Sequence, residues 1–256
     1  NVLKDEDIMQ LNNLLNTDDL SEYTEEQLIQ KKNKESIIFL FYRGILRHPV
    51  FFKVDLKQYI NSRIGMILWH ILILSFWMYS VRKHNEINHG YLVNIILQSL
   101  YIMKFFYWES GYYNTLDITL DRAGFYILWG CLTYLPFLYT LSSYYFVQNQ
   151  PNISALLSYI ILLFGIIFIV LNYWVDYQKQ EFRRLGIDYK IFGKNVKYIK
   201  ILKKGQSQDS EEIESFDTDK YSYLLLSGFW GCARHLNYTF EILLSLMWIF
   251  PGYNLG

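Results

Sequence analysis

Lys179 and Arg183 lie four residues apart, and on a helix that spacing puts both side chains on one face. Two neighbouring cations suit a phosphate-bearing ligand, because the arginine fork binds phosphate through two contacts and the lysine adds a point charge. The pair follows a long apolar run. By pattern it reads first as a basic flank touching anionic lipid headgroups and second as a phosphate clamp. In the stretch SGFWGCARHLNY, Trp230, Arg234 and Tyr238 fall at successive i, i+4 steps, Asn237 adds an amide, and Gly228 and Gly231 permit close helix approach. An aromatic, a cation, an amide and a phenol on neighbouring turns could hold a flat heteroaromatic ring and its sugar. The plainer alternative makes Trp230 an interface anchor and His235 a satisfied core histidine. Arg234 resists that alternative, since arginine inside an apolar helix is rare without a partner.

Glu109, Asp117 and Asp121 gather between the second and third apolar runs, with Tyr101 and Lys104 near the end of the second. Asp117 also reads as a turn cap, and Asp121–Arg122 as the opening of the next helix. Cys131 and Cys232 sit inside apolar segments and read as small packing residues; there is no CxxC or HExxH pattern, so no metal site is expected. No glycine-rich fingerprint follows a strand, and no strand pattern is evident. A dinucleotide would therefore bind in a helical membrane pocket rather than a Rossmann crevice.

The elements that must position these groups are membrane helices. Of 256 residues, 52% are hydrophobic and 19% aromatic, an excess of the Tyr and Trp that settle at membrane–water interfaces. Net charge is zero, which argues for no nucleic-acid partner. Residues 1–36 are polar and acidic, a tail. Four apolar runs follow, about Ile64–Val81, Tyr91–Trp108, Ala123–Val147 and Ile153–Val175, each near the roughly 20 residues that span a bilayer. Pro136 should kink the third run and free a carbonyl. The short loop Gln148–Asn152 makes the third and fourth runs antiparallel neighbours. A polar loop spans 176–220, first basic and then acidic, and a last apolar stretch covers Tyr221–Phe250. The positive-inside rule puts the basic loop on the cytosolic side. Arg43, Arg47, Lys53, Lys57 and Arg63, an even number of spans earlier, agree. The fold class predicted is all-α: a polytopic transmembrane bundle with a cytosol-facing cofactor pocket.

Several blocks resemble the sterol reductase family, which comprises the 7-dehydrocholesterol, delta-14 and delta-24(28) reductases and the lamin B receptor. Phe41-Tyr42-Arg43-Gly44 with Pro49, then Asp55-Leu56-Lys57 and Asn61-Ser62-Arg63-Ile64-Gly65, is similar to the family's FYxG…P…D-x-K…N-x-R-x-G block. Asp121-Arg122-Ala123-Gly124-Phe125-Tyr126 and Trp129-Gly130-Cys131-Leu132 look like the delta-7 branch, where the delta-14 branch more often has Gly-Asp in place of Gly130-Cys131. The likeness runs from about Ile38 to the C-terminal end.

The resemblance implies an oxidoreductase of the endoplasmic reticulum membrane that reduces the carbon 7–carbon 8 double bond of a 5,7-diene sterol with NADPH. Its substrate is a sterol and its surroundings membrane lipid. A delta-14 reductase or a non-catalytic sterol-binding scaffold stands as the alternative, the acidic tail speaking against the scaffold. Carried over by position, the NADPH contacts fall on Lys179, Arg183, Leu225, Trp230, Asn237 and Tyr238, with Lys179 and Arg183 on phosphate. Tyr101 matches a family tyrosine facing the sterol pocket and becomes the proton donor; Glu109 and Asp121 would support that pocket. The family's first helices and its last block are absent, and the chain begins at Asn1 rather than Met. The expectation is a piece of a longer protein, shortened at both ends and inactive by itself.

Overall fold

The structure is a computed structural model that describes residues 36–202 and 221–254. The expected acidic tail, apart from Ser36, and the acidic half of the 176–220 loop lie outside those residues.

A short helix, α1 (Ile37–Arg43), leads to a hairpin of β1 (Val50–Phe51) and β2 (Val54–Asp55). Asp55 then caps a long helix, α2 (Leu56–His84), by accepting from the Gln58 amide. Its segment Tyr59–Gly65 is π-helical. Asn85 closes α2 in a left-handed conformation, and Asn88 caps α3 (His89–Tyr107). Two short helices, α4 (Glu109–Tyr113) and α5 (Leu116–Thr119), lead to α6 (Phe125–Gln148). Ser154 caps α7 (Ala155–Leu185).

Among the described residues, three helical stretches are long and apolar enough to cross a membrane: Leu56–His84, Phe125–Gln148 and Ala155–Asp188. The expected second span, α3, has the length but is not among them. Asn94, Gln98, Ser99 and Lys104 interrupt its apolar character, and it lies inside the bundle. Its polar groups are paired there. Gln98 accepts from Trp69 Nε1 at 2.8 Å and donates to Asn94 Oδ1 and Ser143 Oγ, both at 2.9 Å. Asn94 Nδ2 donates to the Trp248 carbonyl at 2.8 Å, so one network ties four helices together where hydrocarbon offers no other partner.

Pro136 is accommodated rather than disruptive. The preceding segment Gly130–Tyr134 is π-helical, and Pro136 sits in the first turn of the α-helix that follows. The two π-helical segments pack together, with a Cβ on Gly65 falling 2.7 Å from the Cys131 carbonyl oxygen. The third and fourth runs are joined by a short loop, but α6 packs mainly on α2, and α7 on α3 and the final helix.

The all-α expectation is corrected in one respect: the protein is mostly helical but carries, among the described residues, three two-stranded antiparallel sheets. The fourth run does not end at Val175. It continues helical to Leu185, and only then come β3 (Lys190–Ile191), β4 (Lys194–Asn195) and β5 (Tyr198–Leu202). The last apolar stretch is not one helix. It starts as β6 (Tyr221–Leu225), antiparallel to β5 with Tyr198 opposite Leu225, then forms α8 (Phe229–Cys232) and α9 (Leu236–Ile249). The core beneath these strands is Phe182, Ile191, Val196 and Leu225.

The family-like blocks FYRG and DRAG meet backbone to backbone. Gly44 has φ +83°, and a Cβ on Gly124 would lie 2.2 Å from the Arg43 carbonyl carbon. Backbone cannot yield as a side chain can, so Gly124→Ala is expected to cost about 1–3 kcal/mol of stability. A Cβ on Gly130 meets nothing within 4 Å, so Gly130→Ala is the matched control. Melting of both variants in detergent micelles checks the difference.

Candidate functional site

Helix α7 presents Asn172, Asp176, Lys179 and Arg183 at helical spacing, as a polar continuation of its buried stripe Ile161, Gly165, Ile169. Helix α9 answers with Asn237 and Glu241 above buried Leu244 and Trp248. Helix α3 supplies Tyr101 and Lys104. At one end of the bundle these three stripes converge.

Lys104 Nζ donates to Asn172 Oδ1 at 2.5 Å, and Asn172 Nδ2 donates to the Asn237 carbonyl at 2.9 Å. Asn237 Nδ2 donates to Asp176 Oδ1 at 3.0 Å, leaving Asn237 Oδ1 buried with no hydrogen-bond partner. The Tyr101 hydroxyl faces Glu241. Lys104 lies 5.6 Å from the Tyr101 ring and 5.9 Å from that of Trp108. Around Tyr101 stand the rings of Trp69 and Trp248, at 5.8 and 5.9 Å.

The cations expected to bind phosphate lie against this cluster. Lys179 Nζ sits 4.6 Å above the Trp230 ring, close to Asp176 and Arg183, and Arg183 is exposed one turn further on. The Trp230 indole is held by its Nε1 donating to the Val175 carbonyl at 2.8 Å. Helix α8 can start there because Gly228 takes φ +62°, where a Cβ would fall 2.5 Å from Gln178 Oε1. The same oxygen of buried Gln178 accepts from the Phe229 amide at 3.1 Å.

Other expected residues are placed differently. The i, i+4 series Trp230–Arg234–Tyr238 is broken, because Ala233 is extended and Arg234 lies exposed in the turn between α8 and α9. Arg234 is therefore not an arginine inside a helix. Tyr238 is exposed and stacks on His235 with ring centroids 5.1 Å apart. Leu225 is a core residue beside Phe182 and Ile191, with Trp230 packed on that core.

Glu109 and Asp121, grouped with Tyr101 by resemblance, have other partners. Glu109 forms a two-point ion pair with Arg63, one contact at 2.7 Å. Asp121 pairs with Arg43 at 3.3 Å, and its carbonyl oxygen accepts from Lys57 at 2.7 Å. Lys57 is fully buried and also donates to the Ile118 carbonyl at 2.6 Å, satisfying the C-terminal end of α5. Close by in sequence, buried Asn61 has neither amide atom hydrogen-bonded.

Burial opposes charge on Glu109, yet hydrogen bonds from Arg63, Tyr113 and Ser62 hold its carboxyl below the usual carboxylate range. A depressed folded value means the unfolded chain takes the proton first as pH falls. The contribution is full above the unfolded value of about 4.3 and disappears as pH drops through the folded one. Glu109→Gln should flatten the acid limb of a melting-temperature profile and leave its neutral region's slope unchanged.

Sequence reasoning missed Asn172 and Asp176 and gave Lys104 and Glu241 no role. The signal was there, in polar residues recurring at helical spacing along otherwise apolar helices, but which helices face one another is not written in any single run.

The ergosterol biosynthesis ERG4/ERG24 family matches residues 9–254, starting earlier than the Ile38 expected. A 7-dehydrocholesterol reductase of Arabidopsis thaliana is 38% identical over 222 residues, covering 85% of this chain and 48% of the relative. One from Xenopus laevis is 35% identical over 192 residues, 75% of this chain and 39% of the relative. A delta(14)-sterol reductase of Dictyostelium discoideum is 31% identical over 219 residues, 82% and 43%. The chain thus spans less than half the length of each of these relatives. With its membrane-length helices and the near-complete match, it belongs to the ergosterol biosynthesis ERG4/ERG24 family of sterol reductases.

Proposed function

We propose that the full-length protein reduces the carbon 7–carbon 8 double bond of a sterol 5,7-diene, with NADPH as reductant, at the cytosolic face of the endoplasmic reticulum membrane. The observation that carries this reading is the junction of two groups at one end of the bundle. Lys179, Arg183 and Trp230 suit a phosphorylated ring compound, and Tyr101 with Lys104 and Glu241 suits proton transfer. Asn172, Asp176 and Asn237 connect them.

The residues fit a dinucleotide. Lys179 and Arg183 would hold phosphate, including the 2′-phosphate that separates NADPH from NADH. Trp230, Leu225 and Tyr238 would border the ring path. Asn237 Oδ1, buried and unpaired, is an acceptor suited to an amide N–H of the cofactor. NADPH, when bound, supplies hydride to carbon 7.

The chain's own residues do the rest. Tyr101 gives its hydroxyl proton to carbon 8, leaving at carbon 7 a cation allylic to the remaining double bond. The faces of neighbouring aromatic rings stabilise such a cation by roughly 0.5–2 kcal/mol each. Glu241 orients the Tyr101 hydroxyl, and the Lys104 ammonium offsets the tyrosinate charge until a proton returns from solvent. Glu109 and Asp121 act away from the reacting atoms, bracing α2 and the approach to α6 through Arg63 and Arg43.

The relatives named 7-dehydrocholesterol reductase support the delta-7 bond, as does Gly130-Cys131. A relative named delta(14)-sterol reductase, at 31% identity, keeps that bond as the second reading. Microsomes carrying the full-length protein distinguish them. Loss of conjugated-diene absorbance from a 5,7-diene with NADPH is the expected result. Turnover of a delta-14 sterol with the 5,7-diene untouched would overturn it.

A further inference from the structure

The uncharged part of α7 runs from Ala155 to Val175. At 1.5 Å per residue its first 20 residues cover about 30 Å, the thickness of the hydrocarbon core. Trp174 therefore stands at the level where α7 leaves the lipid, and it is half-exposed, as an interfacial tryptophan would be.

The tip of the β3–β4 hairpin returns to this same level. Phe192 meets Trp174 with ring centroids 5.9 Å apart and an edge-on angle of 70°. Phe192 as a whole is nevertheless 70% exposed. The turn itself makes that placement costly. Phe192 has φ +50° and Gly193 φ +75°, the left-handed pair of a tight hairpin turn. Asn, Asp or Gly adopts the first position easily, whereas a bulky aromatic is disfavoured there. The edge contact with Trp174 leaves most of this backbone-strained residue uncovered.

Charge surrounds the tip. Lys190 and Lys194 on the hairpin and Lys197 in the link to β5 are all exposed, and no acidic residue interrupts the segment from Tyr189 to Leu202. Beneath it, Ile191 is buried against Phe182 and Leu225, so the hairpin is anchored on one side and open on the other. The space beside Gly193 is empty, with nothing within 4 Å of a Cβ there.

We propose that this hairpin is a lipid-seated foot: Phe192 enters the interface of the adjoining leaflet beside Trp174, and Lys190, Lys194 and Lys197 bind anionic headgroups. An aromatic tip ringed by lysines at the bilayer boundary matches an anionic lipid surface, with ring and cations each meeting their own layer. The proposal does not depend on the reaction.

The other left-handed hairpin supplies a comparison. Phe52, in the β1–β2 turn, is also exposed with φ +48°, but its ring contact is Phe51, and no interfacial tryptophan ties it to the level of the lipid. Nitroxide labels are placed separately by Phe192→Cys and Phe52→Cys in the full-length protein in bilayer nanodiscs, with Cys131, Cys232 and any further native cysteine replaced by serine. The expected result is a several-fold lower exposure of position 192 to an aqueous nickel relaxant than of position 52, with high exposure to oxygen. Adding phosphatidylserine should deepen the label at 192, and Lys190→Gln, Lys194→Gln and Lys197→Gln together should remove that response. Equal nickel exposure at both positions would overturn the proposal. Exposure of 192 to neither relaxant would overturn it in favour of a protein partner. A benzophenone amino acid at 192, in the protein with its native cysteines, gives the second readout: crosslinks to lipid support the foot, and crosslinks to protein sink it.

Discussion

Tyr101→Phe in the full-length protein is expected to lower turnover of a sterol 5,7-diene by about 10²–10⁴-fold, the usual contribution of a positioned general acid. The change removes one oxygen and keeps the ring. Packing against Trp69 and Trp248 survives, and so should the melting temperature. NADPH affinity should be unchanged, because Lys179 and Arg183, the proposed phosphate ligands, stand on α7 while Tyr101 stands on α3. Single-turnover kinetics beside a direct cofactor titration separates the two quantities. If turnover persists within a few-fold, Tyr101 is not the acid, and Glu241, which faces it, is the next candidate. Asp121→Asn gives the contrast. Asp121 pairs with Arg43 rather than with Tyr101, so turnover should stay within a few-fold of the unaltered protein.

Arg183→Ala is expected to weaken NADPH binding by roughly 10- to 100-fold, the equivalent of one charge-assisted hydrogen bond of about 1.5–3 kcal/mol. NADH binding should move far less, so that the preference between the two cofactors narrows by most of that factor. Lys179→Ala should weaken both cofactors, since Lys179 lies over the Trp230 ring and its loss removes a ring contact along with the charge. Titration of each variant with both cofactors checks the pattern. Equal losses of NADPH and NADH on Arg183→Ala would show that Arg183 does not read the 2′-phosphate.

The membrane helices were legible because apolar length is a property of single runs. The family blocks were legible too, and their glycines acquire a physical reason only in three dimensions: Gly44 and Gly124 allow two backbones to touch. Lys179 and Arg183 were legible as a pair on one helical face, since α7 continues past Val175 to Leu185 and keeps them in register with Asn172 and Asp176. The series through Arg234 failed for the opposite reason. Spacing presumes an unbroken helix, and Ala233 breaks it. The strands failed because β5 pairs with β6 across 18 intervening residues, and such long-range pairing leaves little trace in either short segment.

By itself, the amino-acid order determined where the chain turns apolar, which side chains interrupt those runs, and which family the blocks resemble. Only the tertiary structure decided the company each interruption keeps. It set Tyr101 against Glu241 rather than Glu109 or Asp121, set Lys179 over Trp230, and left Asn237 Oδ1 buried without a partner. The physical reason is that a polar group among apolar helices must find a partner across a helix–helix contact. Those contacts depend on how α3, α7 and α9 pack together, which no single run encodes.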